Sequence, residues 1–258
     1  MSASELIAPG HWQCVDFVAD LHLQQADATF DAFFAYLQST PAQAVFLLGD
    51  ILELWPGDDA LQHPAHAFER QLVEALHTIS ANKALYFMHG NRDFMVGQAF
   101  CTAAGMTLLE DPCVLQMHTP ENGALQRVLL SHGDALCIGD TAYMQLRQQV
   151  RNPAWQQQVL QLPLEQRRAL AQQLRQQSSQ RKNELGVEGY ADVDEPLAVQ
   201  RLQERSCTTL VHGHTHKPQD HVLATSLDRK VLSDWDLQAA KPRGEVLRLQ
   251  ATQQGWLW

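Results

Sequence analysis

Val211-His212-Gly213-His214-Thr215-His216 places three imidazoles at alternate positions late in the chain. On an extended segment that spacing puts all three on one face, and the glycine allows a turn in which two converge on one point. Neutral imidazole is the commonest metal ligand, so the chemistry on offer is cation binding; a surface or structural histidine cluster is the plain alternative. Four earlier stretches shift that balance. Asp20-Leu21-His22 offers a carboxylate and an imidazole, and Gly49-Asp50 a carboxylate beside glycine. Gly90-Asn91-Arg92-Asp93 adds an amide and a guanidinium, and Ser131-His132-Gly133-Asp134 a further imidazole. Taken singly, each has a bland reading, such as Asp20 as a helix N-cap. Together they form a borderline-hard ligand set without cysteine, which suits Mn²⁺, Zn²⁺ or Fe²⁺ better than Ca²⁺ and argues against a structural zinc site. Two such ions about 3.5–4 Å apart can share a bridging carboxylate and hold a phosphate in line for displacement. Asp50 is the natural bridge.

Positioning these residues is the work of the segments before them. Cys14–Ala19, Val45–Leu48, Ala84–Met88, residues 127–131 and Thr208–Val211 read as short apolar strands, and each runs directly into one of the five polar clusters. Fully apolar strands are expected where both faces of a sheet are covered, and open α/β sheets build their sites at the carboxyl ends of such strands. Phe30, Phe33, Phe34 and Leu37 predict a helix over 27–39, and Phe68, Leu72, Leu76 and Ile79 one over 64–80. Residues 113–117 and 127–131 read as strands joined around Pro120–Gly123. Residues 1–12 look like a loose leader. Between 140 and 190 the chain turns glutamine-rich, with Tyr143, Leu146 and Val150 at helical spacing and Pro153 and Pro163 as helix starts or breaks. That stretch reads as a helical insertion projecting from the sheet domain. A helix over 196–205 follows, and β-like runs at 222–225, 230–233 and 246–249 are expected to complete a second sheet.

The chain has 258 residues, enough for one large α/β domain or two small ones, and 45% hydrophobic with 19% charged residues is an ordinary globular balance. A formal charge of −10 disfavours nucleic-acid binding. The five cysteines (Cys14, Cys101, Cys113, Cys137, Cys207) are scattered, form no CxxC pair and read as reduced, buried small hydrophobes of a cytosolic protein. No apolar run approaches the ~20 residues of a membrane-spanning helix, so any membrane contact is expected to be peripheral.

In this order, Asp20-x-His22, Gly49-Asp50, Gly90-Asn91-Arg92-Asp93, His132 and Gly213-His214-x-His216 resemble the calcineurin-like metallophosphoesterases. The resemblance implies a two-sheet αββα sandwich forming a single domain over 1–258, with the helical cap inserted at 140–190. It implies one metal held by Asp20, His22, Asp50 and His216, and another by Asp50, Asn91, His132 and His214. His212 is not a ligand in that pattern and reads as a satisfied strand histidine. Most of the family carry Gly-Asn-His where this chain has Arg92. A guanidinium stays protonated and grips phosphate oxygens bidentately, so it stabilises charge rather than donating a proton; that suits a good leaving group such as one phosphate of a pyrophosphate.

Gly90-Asn91-Arg92-Asp93-Phe94, His132-Gly133-Asp134-x-Leu136-Cys137-x-x-Asp140-x-x-Tyr143 and Val211–Pro218 are similar to one branch, the hydrolases that cleave UDP-2,3-diacylglucosamine in lipid A biosynthesis. That resemblance implies a Mn²⁺-activated enzyme attacking the α-phosphorus with metal-activated water. The products would be UMP and 2,3-diacylglucosamine 1-phosphate. Asp50, Asn91, Arg92 and His132 would serve catalysis, and Asn91, Arg92, Asp140, Tyr143, Ser179, Asn183 and His214 would contact the substrate. It implies a cytoplasmic enzyme, peripheral on the inner membrane, with no obligate protein partner. The chain departs from the branch in its insertion. Gly186 stands where a lysine is usual, leaving Arg181 or Lys182 as the substitute, and Ala191-Asp192-Val193-Asp194 replaces a Met-Asp-Val-Asn run. Leu160, Leu164, Leu170 and Leu174 could line an apolar groove for two acyl chains or simply pack the helices, and Trp155 could meet a bilayer. The Trp256-Leu257-Trp258 tail admits the same two readings. The competing functions are a metallophosphoesterase of other specificity and a non-catalytic binding scaffold on the same fold.

Overall fold

The computed structural model describes residues 4–119, 123–189 and 191–258, with the backbone alone described over 177–189. In chain order the elements are β1 (Ser4–Ile7), β2 (Cys14–Val18), α1 (Ala28–Ser39), β3 (Ala44–Leu48), α2 (Ala67–Ser80), β4 (Ala84–Met88), α3 (Gln98–Ala103) and β5 (Met106–Leu109). Then come β6 (Cys113–His118), β7 (Leu125–Leu130), α4 (Thr141–Val150), α5 (Pro153–Leu160), α6 (Leu164–Gly189), α7 (Glu195–Glu204) and β8 (Thr209–His212). The chain ends with β9 (Gln219–Ala224), β10 (Leu227–Val231), β11 (Leu247–Thr252) and β12 (Gly255–Leu257).

Two six-stranded sheets result, one ordered β1-β6-β7-β8-β10-β9 and the other β12-β11-β2-β3-β4-β5. The period-two alternation of a strand explains why their central strands are apolar on both sides. On β3, Ala44, Phe46 and Leu48 face the core between the sheets, where Phe46 stacks on Phe17 and Tyr86 with ring centroids 5.2 and 4.8 Å apart. Val45 and Leu47 point the other way, into a core closed by Phe30, Phe33, Phe34 and Leu37 of α1 and Leu72 and Leu76 of α2. Across the molecule, Ala198 and Leu202 of α7 cover Leu129 and Leu210 on the outer face of the first sheet. The layers therefore run helix, sheet, sheet, helix, as expected.

Strands β2, β3 and β4 are mutually parallel, and so are β7 and β8 in the facing sheet. Their carboxyl ends meet along one edge of the sandwich, the feature that assembles the site. Three expectations need correction. Residues 4–7 are not leader but an edge strand, parallel to β6, with alternate residues exposed. The 64–80 helix begins at Ala67, after a 3₁₀ turn at Pro64–His66. The three late β-runs do not complete one sheet: β9 and β10 extend the first beside β8, whereas β11 pairs antiparallel with β2 in the second. Alternation tells which face of a strand is buried, not which strand lies beside it. Among the described residues, no helix is long and apolar enough to cross a membrane. All five cysteines are free and buried.

Candidate metal centre

Every strand in the parallel groups ends in a backbone turn that points a ligand-type side chain across the gap. Asp20 follows β2, Asp50 follows β3, Asn91 follows β4, His132 follows β7, and His214 and His216 follow β8. The turns are strained. Among the described residues seven non-glycine residues have positive φ, and five of them are Asp20 (55°), His22 (50°), Asp50 (55°), His214 (66°) and His216 (52°). Such backbone costs roughly 1–3 kcal/mol per residue and persists where the surroundings over-determine it, which is common at functional sites. The glycines beside the ligands have a steric reason. A Cβ on Gly90 would lie 2.0 Å from Asp50 Oδ1, and one on Gly213 would lie 2.3 Å from Asp20 Oδ2. Only bare backbone allows those carboxylates to sit where they do.

The structure brings two groups of donors together. Ligand atoms of Asp20, His22 and His216 lie within 4.8 Å of one another, and so do those of Asp20, Asp50 and His132; the two groups share Asp20. His22 Nε2 is 3.4 Å from His216 Nε2, and His216 Nε2 is 3.3 Å from Asp20 Oδ1. Nearby, Asn91 Oδ1 lies 3.2 Å from His132 Nε2 and 2.8 Å from His214 Nδ1, while His132 Nε2 lies 3.8 Å from Asp50 Oδ2. All seven residues expected as ligands thus line one continuous cluster.

Its electrostatics fit a cation. Asp20 Oδ1 is buried and has no hydrogen-bond partner among the described residues, an arrangement that costs free energy unless a charge is supplied. Burial alone would lower the pKa of His132, but the carboxylates of Asp50 and Asp20 outweigh it and raise that pKa to about 9. Burial, with the charge of Asp50, pushes Asp93 up to about 6. Against its own burial, Asp20 is held below the usual carboxylate range chiefly by His216. The cluster is short of positive charge, and its oxygen and imidazole donors match a divalent transition ion of the Mn²⁺ or Zn²⁺ kind.

A supporting shell fixes the donors, as metal sites require. His132 Nδ1 donates to the Leu48 carbonyl at 2.9 Å, leaving Nε2 for the cluster. His22 Nδ1 lies 2.7 Å from Glu53 Oε2, and His216 Nδ1 lies 3.7 Å from Asp234 Oδ2. Asp93 accepts from the backbone N–H groups of Gly90 (2.7 Å), Ile51 (2.8 Å) and Leu52 (3.3 Å), tying the Asp50 and Asn91 turns together. Sequence reasoning assigned no role to Glu53, Asp93, Asp134 or Asp234. A signal existed for Glu53, the lone charge in Ile51-Leu52-Glu53-Leu54 just past Asp50.

Arg92 donates its backbone N–H to Asp50 Oδ1 at 2.7 Å, and its buried Nε has no partner among the described residues. Asp140 caps α4, accepting from Tyr143 N at 2.9 Å. The Tyr143 hydroxyl is already engaged, donating to Asp134 at 2.6 Å, while its ring lies 5.6 Å from that of His214. His212 is only half satisfied: Nδ1 donates to the Gly213 carbonyl at 2.8 Å and Nε2 has no partner among the described residues. The side chains of Ser179, Arg181, Lys182 and Asn183 lie outside the described residues, and at Gly186 only the backbone is described.

From Asn91 and Arg92 a cavity of about 270 Å³ runs beneath α4, α5 and α6. Its walls are largely apolar and include Trp55, Phe94, Leu146, Trp155, Leu170 and Leu174. Of the four leucines that could line a groove or pack the helices, Leu170 and Leu174 line the cavity, whereas Leu164 packs on the main core and Leu160 is 45% exposed. Trp155 is turned inward against Phe94, with ring centroids 6.3 Å apart, and not toward a bilayer. Trp256 is buried in the core between the sheets.

No family model matches the chain. Curated relatives do. The chain is 45% identical over 226 residues to a UDP-2,3-diacylglucosamine hydrolase of Chromohalobacter salexigens, covering 84% of this chain and 87% of that one. It is 41% identical to the protein of that name from Pseudomonas paraeruginosa (86% and 91% covered) and 39% identical to that from Coxiella burnetii (85% and 88% covered). Solved structures with a related chain path include wild-type Vps29 complexed with Zn²⁺ from Entamoeba histolytica, at 13% identity and a TM-score of 0.47, covering 94% of this chain and 88% of that one. A likeness at that level carries no functional conclusion. The sequence relatives do, since identities of 39–45% extend over some 85% of both chains: the chain belongs to the UDP-2,3-diacylglucosamine hydrolase family.

Proposed function

We propose that this protein hydrolyses the pyrophosphate bond of UDP-2,3-diacylglucosamine, releasing UMP and 2,3-diacylglucosamine 1-phosphate, with two divalent cations, Mn²⁺ by preference. The observation that carries the reading is continuity. A cation-seeking cluster opens, through Asn91 and Arg92, directly into an apolar chamber roofed by helices. A phosphate ester or anhydride joined to a lipid would fill both. The curated relatives of that name support the same substrate.

One cation would be held by Asp20, His22, Asp50 and His216, the other by Asp50, Asn91, His132 and His214. When bound, such ions supply an activated water and neutralise charge on phosphoryl oxygens. The protein's own residues do the remainder. Asp50 holds the Arg92 backbone, and Arg92 lines the chamber, where its guanidinium can clamp phosphoryl oxygens as charge grows on them. The α-phosphorus of the nucleotide is the site of attack in this reading. His132 and His214 wall the site on the side of Tyr143.

The helices over 140–190 act as a cap in this reading, with Leu146, Leu170 and Leu174 against the acyl chains. Asp140 and Tyr143 serve through the α4 terminus that they build. Leu160, Leu162 and Ile138, exposed around the same helices, are suited to peripheral contact with the cytoplasmic face of the inner membrane. Leu170→Asp would put a charge in the chamber without touching the cluster. The expected result is a rise of roughly 10-fold or more in KM for the diacylated substrate, with metal content unchanged. An unaltered KM would remove the chamber from substrate binding.

A further inference from the structure

Glu53 belongs to neither ligand set, yet it touches both a ligand and the cap. Its side chain is 10% exposed, and its two oxygens serve different partners. Oε2 lies 2.7 Å from His22 Nδ1, and Oε1 lies 2.5 Å from Arg175 Nε on α6. Glu53 and Arg175 also both line the chamber. An imidazole that donates from Nδ1 carries its lone pair on Nε2. In His22 that is the nitrogen facing His216 Nε2 at 3.4 Å and Asp20 Oδ1 at 4.0 Å. His22 also sits on strained backbone, with φ at 50°.

The pairing of Glu53 with Arg175 reaches from the turn after β3 to a helix on the far wall of the chamber. Arg175 is 42% exposed, so it has no burial of its own to satisfy. We propose that Glu53 is a positioning residue that couples α6 to the metal centre: Arg175 holds the carboxylate, and the carboxylate holds His22 in its ligating orientation. A substrate that settles α6 over the chamber thereby tightens the metal site, and by linkage a bound metal favours the settled cap. The inference rests on the two-metal reading given above, and deepens it by assigning a route between the lipid chamber and the ions.

The test is titration of metal-stripped protein with Mn²⁺ alone, by calorimetry, for wild type, Glu53→Gln, Glu53→Ala, Arg175→Ala and the Glu53→Ala/Arg175→Ala double variant. Loss of an outer-shell carboxylate typically costs about 10–100-fold in metal affinity. Glu53→Ala is expected to weaken one of the two sites by that factor. Glu53→Gln should lose less, because its amide oxygen can still stand against His22 Nδ1 where the carboxylate now lies at 2.7 Å, and only the charge is lost. Arg175→Ala should weaken the same site in the wild-type background and change nothing once Glu53 is gone. Wild-type affinity in both Glu53 variants, or an Arg175 effect equal in both backgrounds, would overturn the proposal while leaving the metal centre standing. Wild-type protein that takes up no Mn²⁺ would overturn the two-metal reading itself, and this proposal with it.

Discussion

Asp50→Ala is expected to remove at least the roughly 10²–10³-fold in kcat that accompanies loss of one electrostatic stabiliser, while the protein stays folded. Asp50 is the carboxylate that both proposed cations would share, and it sits with Asp20 and His132 in one of the two donor groups. Its Oδ2 is 3.8 Å from His132 Nε2, and its Oδ1 takes the Arg92 N–H at 2.7 Å. Deleting the carboxylate withdraws a charge from both proposed cations and releases the turn that aims Arg92. The loss of stability should be small. Asp50 contributes to none of the three hydrophobic cores, and its removal relieves the Asp93 carboxyl that its charge helps to push up to about 6; against this stand an Arg92 N–H left without its acceptor and a φ of 55° that alanine tolerates less well than aspartate. Functional clusters of this kind are commonly kept at a cost in stability. The measurement is steady-state turnover beside thermal melting of the same preparation. Near-wild-type turnover would contradict the shared-carboxylate assignment, and collapse of the melt would contradict the claim that Asp50 is dispensable to the fold.

Arg92→His, which introduces the residue usual in the metallophosphoesterases that the motifs resemble, is expected to lower kcat on the pyrophosphate by about 10²-fold. A guanidinium presents a fixed, permanently charged fork, and an imidazole at neutral pH presents neither the charge nor the second donor. The buried Nε of Arg92 at the chamber mouth, without a partner among the described residues, marks a donor held ready for an anion. Arg92→Lys should recover only part of the loss, because it restores charge without the fork. KM should change less than kcat if the contact strengthens in the transition state. An unchanged kcat in Arg92→His would mean that this residue does not stabilise the developing charge.

How far the molecule was legible beforehand differs between its parts for physical reasons. Asp20, Asp50, Asn91 and His132 stood out because each closes an apolar strand, and burying a polar group there is costly unless a ligand offsets it. The glycine at 90 or 213 marked where backbone must approach a carboxylate, although the clash distances come only from the folded chain. Phe46 and Val45 announced a sheet covered on both faces. Strand neighbours were not announced. β11 joins β2 across more than 200 positions, and nothing local in Leu247–Thr252 distinguishes that partner from β10. The supporting residues were hidden for a similar reason. Glu53 acquires its role from His22 and Arg175, and Asp134 from Tyr143 and Arg147 of α4, which the chain brings close only on folding. Trp155 looked like a surface anchor because the sequence could not show the chamber behind it.

The most direct test is UMP release from UDP-2,3-diacylglucosamine by metal-stripped protein in ¹⁸O-water, with and without Mn²⁺, and with UDP-N-acetylglucosamine run alongside. The expected result is Mn²⁺-dependent cleavage of the acylated substrate alone, with the label in UMP, as attack at the α-phosphorus requires. Label in the sugar phosphate would contradict the site of attack. Equal cleavage of both substrates would contradict a lipid role for the chamber, and no cleavage of either by protein carrying both ions would contradict the proposed activity.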